Sequence, residues 1–221
     1  MHDIPHTPKP EAAPTTSREQ MTGPASPVPP ASLPLVDAAP VRLSQQTLLV
    51  LCGIPGAGKS TFAEQLLAQE ELPPTSIVSS DYCRTLICDD ETNQQVSADA
   101  FDLFHYIMYK RMRLGRFIIA DSTALLANAR HRLIEQARLR HYATCLLVFT
   151  TDVALSIQRD LARERIVGEP IIRMLQQMLD QALQEIPHES WDQVYRVESS
   201  SSPRTITLER EKLEPGASTA F

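Results

Sequence analysis

The stretch TLLVLCGIPGAGKSTFAEQLLAQ, residues 47–69, determines the fold of this chain. Its first six residues are an apolar run, and three of the chain's seven glycines follow within the next six positions. An apolar run of this length that ends in glycines predicts a buried β-strand. Residues 60–69 then predict an α-helix, so the stretch indicates a strand, a tight turn and a helix in that order.

The turn in this stretch fits the phosphate-binding pattern GxxxxGK[ST]. Glycines let the backbone direct successive N–H groups at phosphate oxygens, and the following helix directs its positive end to the same place. We expect Lys59 to reach the β- and γ-phosphates of ATP and the Ser60 hydroxyl to ligate Mg²⁺. An accidental glycine turn is the alternative, but a strand before it and a helix after it favour phosphate binding. The predicted ATP-binding residues of the turn are Gly53, Ile54, Pro55, Gly56, Ala57, Gly58, Lys59, Ser60 and Thr61.

Apolar strands and helix-length segments alternate through the rest of the chain. We predict further strands at 76–80, 117–120, 144–150, 193–197 and 205–208, and helices at 97–114, 125–139, 153–165 and 170–185. Continuous apolar strands joined by helices indicate a doubly wound α/β domain, with a parallel sheet of four to five strands and helices on both faces. Ligands of such domains bind at the carboxyl ends of the strands.

The N-terminal segment has a different composition. Ten of the 17 prolines fall within residues 1–40, which carry few large apolar side chains. Such a segment buries too little surface to offset its chain entropy, so we predict a disordered tail over 1–40 and one domain over 41–221. The tail is either a passive extension or a docking segment for a protein partner.

Composition also excludes several classes of protein. No stretch approaches the ~20 apolar residues of a membrane span, and the N-terminus lacks the features of a secretory signal. The four cysteines show no CxxC pairing, and Cys52 and Cys145 lie in apolar runs, which is typical of core thiols in a reducing cytoplasm. The net charge of −6 argues against a protein that coats nucleic acid non-specifically.

Aspartates follow two of the predicted strands. Asp81 comes directly after residues 76–80, where a carboxylate can accept the proton of an attacking hydroxyl, and Asp121 ends FIIAD, where it can orient a water on Mg²⁺. Either aspartate can instead cap a helix or turn, and the pattern leaves both interpretations open. Arg84, three residues after Asp81, either holds an anionic part of a substrate or is an exposed surface arginine.

Two groups of basic residues add to these candidates. Arg159, Arg163 and Arg165 follow the strand at 144–150, where arginines can close over a triphosphate, although arginines on a helix usually form a solvated face. Between residues 105 and 141 lie seven arginines and one lysine against two acids. This local excess can form a groove for a polyanion or simply a basic helical surface.

Several motifs occur together in addition to the glycine turn. SSDxCR is followed by DDE, QxV, AFxxxHY and KRxxLG, and QRDLARER comes later. With GIPGAGKSTFA, these segments resemble the 5′-kinase module of bacterial polynucleotide kinase-phosphatases over about residues 47–197. One departure is Ala124, which stands where the family pattern DxTN has asparagine. Another is the spacing between Arg163 and Arg165, which is one residue shorter than in the lid segment of the family.

The resemblance implies a P-loop kinase that uses ATP and Mg²⁺ to phosphorylate the 5′-hydroxyl of DNA or RNA, an activity of nucleic acid repair. It makes Asp81 the general base, Lys59 and Ser60 the ATP and Mg²⁺ contacts, and Arg84 a substrate contact. It also implies lid arginines, which are Arg159, Arg165 and, in the same segment, Arg163. The residues alone leave two alternatives, a small-molecule or nucleotide-sugar P-loop kinase and a non-catalytic ATP-binding interaction module.

Overall fold

The computed structural model describes residues 33–163 and 166–209. Its seven strands are β1 (Val41–Ser44), β2 (Thr47–Cys52), β3 (Ile77–Ser79), β4 (Ile118–Asp121), β5 (Ala143–Phe149), β6 (Gln193–Val197) and β7 (Ile206–Glu209). Its six α-helices are α1 (Lys59–Gln69), α2 (Ser80–Cys88), α3 (Ser97–Arg113), α4 (Ala127–Arg138), α5 (Val153–Leu161) and α6 (Glu169–Glu185).

Five strands form one parallel sheet in the order β3-β4-β2-β5-β6. The central strand β2 is buried at all six positions, as expected for a strand that is covered on both faces. Helices flank the sheet, and the predicted α/β architecture with a parallel sheet is confirmed. Cys52 and Cys145 are buried free thiols in this core.

The strand register brings the candidate residues to one edge of the sheet. Asp121 at the end of β4 pairs with Leu51 near the end of β2 on one side and with Ser79 at the end of β3 on the other. The glycine turn begins directly after β2, and α2 begins directly after β3. Three chain segments with predicted functional residues therefore converge at the carboxyl ends of neighbouring strands.

Three local features differ from the sequence-based prediction. β1 was not predicted, and it pairs in parallel with β7 as a separate two-stranded sheet. Its four residues alternate between buried and exposed, which is too short a pattern to identify a strand. α2 is also an additional helix. α5 ends at Leu161 rather than 165, because the buried Asp160 carboxylate accepts hydrogen bonds from the backbone N–H groups of Val167 and Gly168 and turns the chain.

The N-terminal boundary also differs from the prediction. Most of the predicted tail lies outside the described residues, but residues 33–40 are part of the folded unit. Val36 is fully buried and donates to the Arg196 carbonyl at 2.9 Å, while the Arg196 N–H donates to the Pro34 carbonyl at 2.8 Å. The packed region thus begins before the predicted boundary at residue 40. Across the described part of the chain, no helix is long and apolar enough to span a membrane.

Candidate active site

The glycine turn is shaped by its glycines and by the helix packed against it. Gly56 and Gly58 have φ angles of 77° and 98°, in the left-handed region that favours glycine. A Cβ at Gly56 would collide with the backbone carbonyl of Ser156 in α5. The buried Thr151 hydroxyl donates to the Ala57 carbonyl at 2.9 Å and holds the turn from the same side. The turn and α5 are therefore fitted to each other.

Lys59 lies over the turn. Its Nζ donates to the carbonyls of Gly53 and Ile54, both at 2.9 Å. Burial lowers the pKa of Lys59, and the negative charge of Asp121 opposes that shift. The ammonium is thus a partly desolvated positive charge, placed where the predicted phosphates would lie.

Ser60 and Asp121 form a pair of oxygen donors beside the lysine. The Ser60 hydroxyl donates to Asp121 Oδ2 at 3.0 Å, which joins the first turn of α1 to the end of β4. Burial raises the pKa of Asp121, while Lys59 and the Ser60 hydrogen bond act in the opposite direction. A hydroxyl and a carboxylate are hard oxygen ligands of the kind that Mg²⁺ prefers, so these residues fit the predicted ion.

Asp81 lies in the first turn of α2, at the same edge. The helix is capped by Ser79, whose hydroxyl accepts from the Tyr82 N–H at 3.3 Å, so the capping interpretation of Asp81 is wrong. Arg84 Nη1 donates to Asp81 Oδ1 at 2.6 Å, and the Asp81 side chain is 53% exposed. The charge of Asp81 acts on the pKa of both Lys59 and Asp121, so these three groups share one electrostatic environment.

Arg84 is buried, with only 4% of its surface exposed. Besides the bond to Asp81, its Nη1 donates to the Glu91 carbonyl at 3.0 Å. This burial shows that the exposed-surface interpretation of Arg84 is wrong, while its role as a substrate contact stays a prediction. The described contacts of Arg84 hold the Asp81 carboxylate next to the segment that follows α2.

The arginines after β5 approach the turn from the opposite side. Arg159 is half-buried, and its Nη1 lies 3.5 Å from the Gly56 carbonyl oxygen. The charge of Arg163 lowers the pKa of both Lys59 and Asp121, so Arg163 belongs to the same electrostatic environment as these two residues. Arg165 lies outside the described residues.

A cleft of about 440 Å³ opens beside the glycine turn, between α1, α5 and the loop that follows β6. Arg159 and Arg163 line it on one side. Sequence reasoning missed two of its walls, Phe149 and the loop of residues 198–201 with Glu198. Both lie at carboxyl ends of strands, so the rule that identified Asp81 and Asp121 applies to them as well. The cleft can take the sugar and base of a nucleotide whose phosphates lie on the turn.

Comparisons with known proteins support the P-loop kinase fold. The AAA domain family matches residues 48–185, and no curated protein matches the chain. A candidate kinase from Chloroflexus aurantiacus is 15% identical, with 70% of this chain and 88% of that chain covered and a TM-score of 0.52. Chaetomium thermophilum Kti12 in complex with ADP-AlF3 is 21% identical, with 72% and 92% covered and a TM-score of 0.49. A chain of a Pnkp1/Rnl/Hen1 complex is 18% identical, with 59% and 41% covered and a TM-score of 0.45.

Proposed function

The chain belongs to the AAA domain family as a P-loop kinase-type nucleotide-binding domain, and from that premise we propose that it transfers the γ-phosphate of ATP to the 5′-hydroxyl end of a DNA or RNA strand. The observation that carries the proposal is the Asp81 carboxylate. It is exposed, it is held by a buried arginine, and it shares the edge of the sheet with Lys59 and Asp121.

In the proposed reaction, Asp81 accepts the proton of the 5′-hydroxyl as its oxygen bonds to the γ-phosphorus and the bond to the ADP oxygen breaks. Arg84 fixes the orientation of the carboxylate by holding Oδ1, and the exposure of Asp81 gives the acceptor access. Phosphoryl transfer depends mainly on positioning, so a base held by a rigid partner is well suited to it.

Charge on the donor is neutralised by the residues around the turn. Lys59 and the backbone N–H groups of the turn would bind the phosphates, and Arg159 and Arg163 would stabilise the charge of the transferring group from the side of α5. Ser60 and Asp121 would hold Mg²⁺, which when bound neutralises charge on the β- and γ-phosphates.

The choice of a polynucleotide acceptor rests on two sequence features. One is the SSDxCR motif and the motifs that follow it, which contain both Asp81 and Arg84. The other is the excess of basic residues between 105 and 141 in an otherwise acidic chain. An acceptor with many phosphates is the chemistry that such a charge distribution favours.

The test is transfer of radiolabel from [γ-³²P]ATP to DNA and RNA oligonucleotides with a 5′-hydroxyl, in parallel with a panel of sugars and nucleosides. We expect label on the 5′-hydroxyl oligonucleotides and none on the same oligonucleotides carrying a 5′-phosphate. Label only on a small acceptor would instead identify a small-molecule kinase. ATP binding without transfer to any acceptor would identify a non-catalytic module.

A further inference from the structure

A cationic surface lies at the far ends of α3 and α4, away from the glycine turn. α3 ends at Arg113, shortly before β4 begins, and α4 ends at Arg138, shortly before β5 begins. Both helices therefore run from the carboxyl edge of the parallel sheet to its amino edge. The 17 residues of α3 span about 25 Å at 1.5 Å per residue. This length separates the surface from the carboxyl edge of the sheet, where Lys59, Asp81 and Asp121 lie.

α3 and α4 lie side by side and run in the same direction. Two contacts join the helices, Asp102 Oδ1–Arg132 Nη2 at 3.6 Å and His105 Nδ1–Gln136 Oε1 at 3.0 Å. A third joins α3 to the residues just after α4, where the Arg140 guanidinium lies 4.6 Å from the Tyr109 ring centre. The C-terminal ends of the two helices consequently form one continuous surface.

We name this the amino-end surface and define it by Tyr106, Tyr109, Lys110, Arg113, Arg116 and Arg140. Lys110 Nζ lies 5.0 Å from the Tyr106 ring centre and 5.7 Å from that of Tyr109. Tyr106 is 56% exposed, and all four cations of the surface are exposed. The sequence contains no aspartate or glutamate in residues 103–120 or 136–151, so the two segments that form the surface bring no carboxylate to it.

Helix dipoles account for part of this charge, since cations in the last turn of a helix are stabilised by its C-terminal end. They do not account for Arg116 and Arg140, which lie beyond the ends of α3 and α4. The Tyr142 hydroxyl donates to the Arg116 carbonyl at 2.9 Å and holds these two segments together. Burial lowers the pKa of the neighbouring Arg111, and the positive charge of Arg116 adds to that effect. Arg111 and Arg116 are therefore close enough to repel each other, and the fold holds them together.

We propose that the amino-end surface binds single-stranded nucleic acid, with the cations on its phosphates and the exposed tyrosine stacked on a base. This inference rests on the proposed function, because it assigns the surface to the part of the strand that lies beyond the 5′ end at Asp81. Exposed aromatic rings among cations are the combination that single-strand binding uses. An acidic protein surface would pair with the cations but would not stack on the Tyr106 ring, which stays 56% exposed beside Lys110.

The separation along α3 sets a length for the strand. About 25 Å corresponds to at most about seven nucleotides at the 3.4 Å per-strand rise of duplex DNA, and an extended single strand covers it with fewer. A trinucleotide is too short to bridge this distance from Asp81. Long and short acceptors therefore separate the contribution of the surface from that of the active site.

The test measures fluorescence anisotropy of a labelled, 5′-phosphorylated oligo-dT of about 20 nucleotides, without ATP. We expect K110E/R140E to weaken binding about ten-fold or more and to lower the slope of log Kd against log salt by about 1.4, which corresponds to two phosphate contacts on a single strand. The matched control R42E/R204E makes the same charge change at exposed arginines outside the surface and should stay within about two-fold. Y106A should weaken binding about ten-fold, and Y106F should not.

Circular dichroism melts verify that each variant is folded. In the labelling assay, K110E/R140E should raise KM for a 20-mer, leave KM for a trinucleotide unchanged and leave kcat unchanged. Equal binding by K110E/R140E and the wild type would overturn the proposal. A change of oligomeric state in K110E/R140E on light scattering, with oligonucleotide binding unchanged, would also overturn it and assign the surface to a second copy of the chain.

The two proposals fail separately. Phosphate transfer to oligonucleotides with no effect of K110E/R140E on binding or KM overturns the surface proposal alone. Oligonucleotide binding that K110E/R140E abolishes, with no phosphate transfer to any oligonucleotide, overturns the proposed function and supports binding of nucleic acid at this surface.

Discussion

The sequence pattern left Asp81 with two possible roles, a helix cap and a catalytic base. The structure assigns the cap of α2 to Ser79. A side chain at the N-cap reaches the backbone N–H groups two or three positions later, and Ser79 occupies that position. Asp81 lies two residues further along the first turn of α2 and pairs with Arg84, three residues later on the same face. The direction of the Asp81 carboxylate is thus set by a contact within one turn of the same helix, with the buried Arg84.

For Asp81→Asn we predict a loss of kcat of about 10²- to 10⁴-fold, the usual contribution of a general base. The amide oxygen still accepts from Arg84, so the fold and ATP binding should be retained. Steady-state kinetics and a nucleotide-binding titration measure the two effects separately. Asp99→Asn, an exposed aspartate in the first turn of α3, is the matched control and should leave kcat unchanged. Equal kcat for both variants would rule out Asp81 as the base.

The lowered pKa of Lys59 predicts that the protein takes up a proton when ATP binds. Burial holds its pKa below the ordinary value of 10.5, and phosphate oxygens would raise it again. Between the pKa values of the free and bound states, binding therefore takes up a proton, and ATP affinity falls as pH rises through that range. Calorimetry at several pH values below 10.5, in buffers of different ionisation enthalpy, measures the uptake. A binding enthalpy that is the same in all buffers would contradict the predicted proton uptake.

At the scale of elements, α3 and α4 are joined through a buried side chain that can take up a proton. His105 is buried, with 6% of its surface exposed, and its ring shares a hydrogen bond with Gln136 of α4. Burial lowers the pKa of His105 below 6.5, so the folded state favours the neutral ring. The unfolded chain then binds more protons as the pH falls below about 6.5, and that difference acts against folding.

We predict that the free energy of unfolding decreases on acidification through this range, by at most about 1.4 kcal/mol per pH unit from one histidine. Urea unfolding at about pH 7.5 and 5.5 measures the change. His105→Gln should reduce the difference between the two conditions, since glutamine does not titrate. His188→Gln, at an exposed position, should leave the difference as in the wild type. An unchanged difference in His105→Gln would assign the acid sensitivity to other groups.

At the scale of the whole molecule, Arg130 joins the start of α4 and the loop before it to the end of α6. It is fully buried, donates to the carbonyls of Ala124 and Leu125 after β4, and binds the carboxylates of Glu185 and Glu189 near the end of α6. The side chain of Glu189 is itself only 4% exposed. The network fixes the loop after Asp121 to the other side of the domain, which supports a packing role for Arg130 rather than a catalytic one.

Removing Arg130 should therefore be costly. Arg130→Ala leaves the Glu189 carboxylate buried without its main partner, and such losses amount to about 3–5 kcal/mol. Glu185→Gln alters the same network at a side chain that is 33% exposed, and it should cost about 1 kcal/mol or less. Chemical denaturation of both variants measures the difference. Similar stability of the two would show that the network carries little of the folding free energy.

Much of the site was predictable because its signals are local. The glycine turn, Lys59 and Ser60 follow from one contiguous motif, and Asp81 and Asp121 follow from the rule that residues after parallel strands meet at one edge. The burial of Arg84 and the cleft wall at 198–201 were not predictable in this way. They depend on which segments pack over α2 and beside β6, and no nearby sequence pattern records that packing.

By itself, the sequence determined a parallel α/β domain with a phosphate-binding turn and the identity of most residues around it, because strand periodicity and turn chemistry are properties of neighbours in the chain. Only the tertiary structure decided that Arg84 holds Asp81, that Arg159 meets Gly56 across 103 residues, and that α3 and α4 join their cations into one surface. The physical reason is that burial and charge clustering depend on the relative placement of whole elements, which the packing of the core settles and local propensity does not.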